Sequence, residues 1–362
     1  MKITFLCPPL NLSGGIRVVA IYARYLQEFG HDVLVVSQPE PARGRLPRLL
    51  KRLRLPIYPA DPQQPSHLDG QGIAQKILPL FRKIRDRDVP DADVVIATWW
   101  ETAEFVEALA AKKGRKVYFV QHHEVFDWMP LERVSATYRS RMQKIAVAQW
   151  LVKAIEGDGN REGCTVVPNA VDRAQFHAPA RGRNARPRVG TLFSDTAFKG
   201  FDIALAVLAK VREAFPDLEV VAFGSHKPVK YRDRMAGIAL TVDPAQDRLR
   251  EIYASCDVWL SCSKSEGFNL VAMEAMACRT PVVSTRTGWP EEAVVRGVNG
   301  ALAEADDVQG LADAVIEILR ASADDWARLS EGAAATVRDS SWERSARMFE
   351  AALIGNQTIT AR

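Results

Sequence analysis

The feature that most constrains this chain is a rhythm. Short, continuously apolar runs alternate with longer segments whose apolar residues recur at helical spacing, and the series occurs twice. KITFLC (2–7) is the first run, SGGIRVVAIYARYLQEFG (13–30) a helical pattern opened by Ser and glycines and closed by Gly30, and DVLVVS (32–37) the second run, which together make a βαβ unit. The alternation continues through helix-like 72–87, strand-like DVVIAT (93–98), helix-like 101–112, strand-like KVYFVQ (116–121) and a helical stretch over 131–156. Residues 178–188, APARGRNARPR, break it: they have no apolar periodicity and read as a linker. A second series follows: RVGTLF (188–193), a helix over 200–215 ending before Pro216, LEVVAFG (218–224), a helix near 246–255, DVWLSCS (257–263), a helix over 269–277, and TPVVSTR (280–286). Strands that are apolar throughout and flanked by amphipathic helices specify a parallel sheet covered on both faces. The expected organisation is two α/β domains, 1–177 and 189–340, joined by 178–188 and facing a cleft, with 341–362 a terminal helix and tail.

Composition narrows the class. A chain of 362 residues, 47% hydrophobic and 25% charged, has the length for two cores. The five cysteines are scattered without C-x-x-C spacing, which argues against a disulfide framework or a zinc site and for a reducing cytoplasm. MKITFLCPPLNLSGG is too short in apolar residues before its two prolines for a secretory signal, and no run approaches the roughly 18 apolar residues of a membrane span. A cytoplasmic protein, soluble or peripheral at the inner membrane face, is expected. Net charge is +4, and no nucleic-acid partner is expected; however, residues 43–54, RGRLPRLLKRLR, carry six cations and no acid. That stretch is a candidate contact for an anionic membrane surface, the alternative being a solvated helix or loop.

In open parallel sheets ligands bind beyond the carboxyl ends of the strands, so the residues just after each apolar run matter most. After the first run, Gly14 and Gly15 open a helix where backbone N–H groups can approach an anion; a tight strand-to-helix turn accounts for them equally well. Trp99 and Trp100 follow the third run of the first half and offer faces for stacking on a sugar or lipid, with core packing the alternative for one of them. His122 and His123 follow KVYFVQ, where an imidazole can act as a base or a donor to a sugar hydroxyl. In the second half, Lys199 stands at a helix N-terminus, against the dipole, a placement that binding a phosphate would explain. Glu266 lies in the loop after DVWLSCS, and Gly267, Phe268, Asn269 and Leu270 lead into a helix whose apolar residues (Leu270, Met273, Met276, Ala277) fall on one face. The N–H groups at that helix start can hold a diphosphate. Glu274, about 7.5 Å further along the axis, could bind ribose hydroxyls, the alternative being a capped helix with two surface acids. The D-x-D matches Asp86/Asp88 and Asp91/Asp93 do not follow a strand, so no metal site is expected.

These segments resemble the retaining glycosyltransferases of family 4, with weaker likeness to rhamnosyltransferase-like members in YFVQHHEVF. The resemblance is densest over 256–307, with an E-x7-E region from Glu266 to Glu274, a PVV strand, Gly288 and Glu291, and an N-G turn; it extends to SGG near the start, VVPNAVD and KGFDIAL. It implies the GT-B fold, two Rossmann-like domains facing across a cleft, with the C-terminal helix crossing back to the N-terminal domain. It also implies transfer of a sugar from a UDP-, dTDP- or GDP-linked donor to a glycan or lipid-linked acceptor, without metal or other cofactor, in cell-surface polysaccharide synthesis. By resemblance Glu266 contacts the donor sugar near the reacting carbon, Gly267 to Leu270 cradle the diphosphate and Glu274 binds ribose. Lys199 stabilises the leaving diphosphate, Gly14 and Gly15 approach it, and His122 or His123 supports the sugar, His122 being favoured. Many members carry an arginine several residues before the lysine, whereas TLFSDTAFKG has Ser194 nearest that place. A nucleotide-sugar epimerase of the same fold would need no acceptor, and a non-catalytic binding protein would hold donor without turnover.

Overall fold

The structure is a computed structural model and describes residues 1–42, 60–61 and 63–355; the basic stretch 43–54 and the last seven residues lie outside them. The chain forms two compact units, one of Met1–Asn169 with Glu343–Arg362 and one of Ala170–Trp342. Each is built on a parallel sheet.

In the first unit the sheet has the order β3-β2-β1-β4-β5-β6-β7. Its strands are β1 (Lys2–Cys7), β2 (Asp32–Ser37), β3 (Ala74–Ile77), β4 (Val94–Ala97), β5 (Arg115–Val120), β6 (Gln143–Ala146) and β7 (Cys164–Val166). Their apolar runs are buried because helices cover both faces. Helix α1 (Gly14–Glu28) buries Ile16, Val19, Tyr22, Ala23 and Leu26, a single stripe at helical spacing. Helices α2 (Trp100–Ala108), α3 (Leu131–Arg139) and α4 (Gln149–Gly157) follow β4, β5 and β6.

Two expectations are corrected here. Residues 72–87 hold β3, hydrogen-bonded in parallel to β2, instead of a helix. Pro79 forbids helix continuation, and the segment beyond is held by polar bonds, with Arg82 bidentate on Asp88 at 2.6 and 2.7 Å. The stretch 131–156 is α3, β6 and α4: a four-residue strand is shorter than the window over which helical periodicity is judged.

The second unit has the sheet order β10-β9-β8-β11-β12-β13. The strands are β8 (Arg188–Leu192), β9 (Glu219–Gly224), β10 (Ile238–Val242), β11 (Val258–Ser261), β12 (Val282–Thr285) and β13 (Gly300–Ala303). The helices are α5 (Phe201–Ala214), α6 (Leu249–Ala254), α7 (Leu270–Ala277), α8 (Pro290–Ala293), α9 (Val308–Arg320) and α10 (Ala323–Thr336). The edge strand β10 was not anticipated; its residues, IALTV, are half or fully exposed at the rim of the sheet. Residues 178–188 pack on this unit, and the division between units falls earlier, after Asn169. The buried carboxylate of Asp257 gathers the stretch: it accepts from Arg181 at 3.2 Å and from the backbone N–H of Asn184 and Arg188 at 3.0 and 2.9 Å. Docking by polar bonds leaves no trace in apolar periodicity.

Helix α11 (Trp342–Ile354) ends the described chain, and its residues from Glu343 belong to the first unit. Phe349, fully buried, stacks on Tyr22 at 4.6 Å and meets Phe119 edge-on at 5.0 Å, while His31 Nε2 lies 2.8 Å from Glu350.

One buried acid orders the loops at the carboxyl ends of β4 and β5. Glu124, 1% exposed, accepts at Oε2 from the Trp100 N–H (2.7 Å) and the Tyr118 hydroxyl (3.0 Å), and its own N–H donates to Tyr138 Oη at 2.9 Å. Burial pushes its carboxyl up to about 8. An acid whose folded pKa is raised takes up a proton on folding between its unfolded value, about 4.3, and the folded one, so stability falls as pH rises through that window. Glu124→Gln is expected to flatten the decline of unfolding free energy between about pH 5 and pH 8, measured by urea titration. Parallel declines in the two proteins would show that Glu124 is not its source.

Candidate functional site

In the second unit the site is built where β8 and β11 run side by side, Leu260 opposite Thr191. Each strand delivers a loop at its carboxyl end. The two loops touch through backbone: Lys264 N–H donates to Phe198 O at 2.7 Å, and Gly200 adopts φ 65°, where an added Cβ would lie 1.9 Å from the Cys262 carbonyl oxygen. A side chain at 200 would drive the loops apart, so this close approach requires glycine.

The contact brings Lys199 to Glu266. Lys199 Nζ lies 2.8 and 2.9 Å from the two carboxylate oxygens, and Ser263 Oγ donates to Oε1 at 2.6 Å. The Glu266 N–H donates to Thr287 Oγ1 at 3.1 Å, tying the loop to the residues after β12. Glu266 is 6% exposed and the Lys199 side chain 28%. Breaking one side of such a pair leaves a charge poorly solvated, so the two side chains hold each other in place.

Gly267 and Phe268 lead from Glu266 into Asn269, which caps α7 in the left-handed region at φ 75°, ψ 65°. Its side chain accepts from the Ala272 N–H at 3.3 Å and donates to Ser261 Oγ at 2.9 Å, fixing the helix start to the end of β11. Ahead of Ala272, the Leu270 and Val271 N–H groups stand at the positive end of the helix dipole. The expectation of one apolar face is corrected: α7 is apolar nearly all round and buried from Ala272 to Met276. Glu274 is drawn into that interior, 3% exposed, and accepts from the Tyr253 hydroxyl at 2.8 Å. Ser194, after β8, accepts from the Thr196 N–H at 3.2 Å. Next to it, and passed over in the sequence, His226 follows β9: its Nε2 is 2.9 Å from Asp195 Oδ2 and its Nδ1 3.0 Å from Ser225 Oγ. Its signal was available, since it stands just beyond the apolar run LEVVAFG.

In the first unit the flagged residues also gather at strand ends, and the structure separates them. Gly14 begins α1, and an added Cβ there would meet nothing within 4 Å; at Gly15 it would lie 3.8 Å from the Gln121 side chain, next to His122. His122 Nδ1 is 2.9 Å from the His123 carbonyl oxygen, so that nitrogen carries the proton, and the ring sits 5.1 Å from Phe126. His123 is held as structure: Nε2 is 2.6 Å from Asp158, with the ring between Tyr138 and Trp150. Trp100 is 6% exposed, and the Arg133 guanidinium lies over its ring at 4.8 Å. Trp99 is half-buried. The sequence reading missed Trp128, 66% exposed and stacked on Phe126 at 4.6 Å. The D-x-D acids are engaged elsewhere: Asp88 with Arg82, Asp91 with Lys113 at 2.8 Å, and Asp93 with the Lys2 N–H at 2.7 Å.

Two family models match the chain, Glycosyltransferase Family 4 over residues 12–175 and Glycosyl transferases group 1 over 188–321. A phosphatidyl-myo-inositol mannosyltransferase of Mycolicibacterium smegmatis is 26% identical over 344 residues, 88% of this chain and 85% of that protein. A D-inositol 3-phosphate glycosyltransferase of Segniliparus rotundus is 35% identical over 159 residues, 38% of this chain and only 35% of that protein's length. The Anabaena protein HepE, solved in complex with UDP-glucose, superposes with a TM-score of 0.74 at 17% identity, covering 97% of this chain and 98% of its own, a likeness of fold. Carrying two all-parallel Rossmann-like sheets and matching both family models, the chain belongs to the GT-B glycosyltransferases of family 4, group 1.

Proposed function

We propose that this protein transfers a sugar from a UDP-, dTDP- or GDP-linked donor to a glycan or lipid-linked acceptor, with retention and without a metal ion, in cell-surface polysaccharide synthesis. The observation that carries the reading is the Lys199–Glu266–Ser263 constellation beside the start of α7. A departing nucleoside diphosphate gains negative charge, and a fixed ammonium together with a helix N-terminus can neutralise it as it forms. Glu266, oriented by two donors, meets the donor sugar near the reacting carbon. Gly267 to Leu270 cradle the diphosphate, Ser194 lies beside it, and Glu274, one oxygen held by Tyr253, takes the ribose. Gly14 and Gly15 leave a helix N-terminus open to an anion. His122, Trp99 and the exposed Trp128 serve the sugar and the acceptor. The mannosyltransferase matched along most of this chain is named for a phosphatidyl-inositol acceptor, which supports the lipid-linked arm. The protein works at the cytoplasmic membrane face, with 43–54 on anionic headgroups.

Titrating the protein with UDP-, dTDP- and GDP-sugars and with the free nucleotides tests the donor site. One series is expected to bind, and turnover with that donor is expected to persist in chelator. Glu266→Gln and Lys199→Met are each expected to lower turnover by about a hundredfold or more while leaving a cooperative melt. Failure to bind any nucleotide or nucleotide sugar sinks the reading. For the membrane arm, replacing Arg48, Lys51, Arg52 and Arg54 by glutamine is expected to abolish salt-sensitive binding to vesicles of anionic lipid, read by sedimentation. No vesicle binding by the unmodified protein would remove the membrane contact.

A further inference from the structure

The ammonium of Lys199 is not a surplus charge. It contacts both oxygens of Glu266, so the pair is close to neutral, whereas a departing nucleoside diphosphate carries at least two negative charges. Other donors at the ends of the same strands must share that load. Lys264, in the loop after β11, is 47% exposed and faces Asp306 at 3.9 Å. The neighbouring strand β9 ends on Ser225 and His226, and there the structure shows a built arrangement.

His226 is fixed from three sides. Its Nε2 lies 2.9 Å from Asp195 Oδ2, its Nδ1 lies 3.0 Å from Ser225 Oγ, and its ring packs 5.3 Å from that of Phe193. The ends of β8 and β9 are brought together for this: an added Cβ at Gly224 would lie 2.7 Å from the Phe193 ring and carbonyl oxygen, so only glycine fits between them. Asp195 belongs to the same loop as Ser194 and Lys199. Parallel strands stand about 4.8 Å apart, which puts the end of β9 one strand from the Lys199 loop and about 10 Å, two strands, from β11. His226 therefore stands at the same end of the sheet as the starts of α5 and α7.

We propose that His226, oriented by Asp195 and flanked by Ser225, is a diphosphate-binding residue that supplies the second positive charge at the donor site. The assignment rests on the donor-binding reading given above. A carboxylate on Nε2 holds that nitrogen as a donor toward Asp195, which turns Nδ1 and the Ser225 hydroxyl toward the ligand side. An arriving polyanion favours the charged imidazole, and Nδ1–H then donates a charge-assisted bond to a phosphate oxygen. The cation thereby occupies the role left open by Ser194, where many relatives have arginine. A hydrolytic Ser-His-Asp triad is the wrong description of the same three residues, since Ser225 and His226 are chain neighbours and the ring nitrogens are used in the opposite sense.

The test separates the diphosphate from the base. Whichever of UDP, dTDP and GDP binds the wild-type protein is titrated calorimetrically into wild type, His226→Ala, His226→Arg and Asp195→Asn, alongside the matching nucleoside. His226→Ala is expected to lose about ten- to a hundredfold in affinity for the nucleoside diphosphate and nothing for the nucleoside. His226→Arg is expected to recover most of that loss, and Asp195→Asn to fall between. Unchanged diphosphate affinity in His226→Ala, or an equal loss for diphosphate and nucleoside, overturns the assignment while the donor reading stands. Wild-type protein that binds no nucleotide overturns both. If the alanine variant does not melt cooperatively, His226→Gln carries the same comparison.

Discussion

The ion pair between Lys199 and Glu266 is the interaction on which the second unit's loops converge. It exists because two strand-end loops meet backbone to backbone at Gly200 and Cys262, and that meeting requires a residue without Cβ. With Glu266 almost wholly buried, its carboxylate depends on the ammonium, the Ser263 hydroxyl and little solvent. Partial burial raises the value of each contact and also the cost of losing one. The pair thus fixes the loop that enters α7, and with it the direction in which the helix start presents its N–H groups. Asn269, in a left-handed conformation that asparagine tolerates, bends the chain from that loop into the helix and bonds back to Ser261.

Much of this was legible because the rule that ligands gather beyond strand ends needs only the strands, and long apolar strands announce themselves. Glu266 and Lys199 were both found that way, yet their direct contact was not, since 67 residues separate them and only the adjacency of β8 and β11 joins them. The elements that escaped are short or lie at the edge of a sheet. β3 and β10 are edge strands with exposed side chains, and β6 is four residues long. The stretch 178–188 looked like a linker because Arg181, Arg183 and Asn184 anchor it through hydrogen bonds to backbone carbonyls and to Asp257, which composition reads as loop chemistry.

Paired residues in the sequence show the limit most clearly. Trp99 and Trp100 are adjacent, as are His122 and His123, and neither pair can be divided by pattern. The structure divides both through partners distant in the chain. Arg133 covers the Trp100 ring and Asp158 captures His123, while the His122 ring packs beside Phe126 and Trp99 is half-buried. Glu124 enforces the arrangement from below, because its carboxyl holds the Trp100 N–H while its own N–H holds Tyr138. A neutral carboxylic acid suits this place better than a carboxylate: it satisfies the same donors without placing an unpaired charge in the interior.

Charge accounting at the strand ends of the second unit follows from the same reasoning. On the proposed function, a phosphate beside Lys199 shares the ammonium with Glu266, and its attraction to that ammonium grows with the anion's charge. An interaction that strengthens with developing charge favours the transition state over the bound donor, which is what catalysis requires. In the proposed role His226 has a carboxylate partner of its own, with Asp195 2.9 Å from its ring as Glu266 lies 2.8 Å from the Lys199 ammonium.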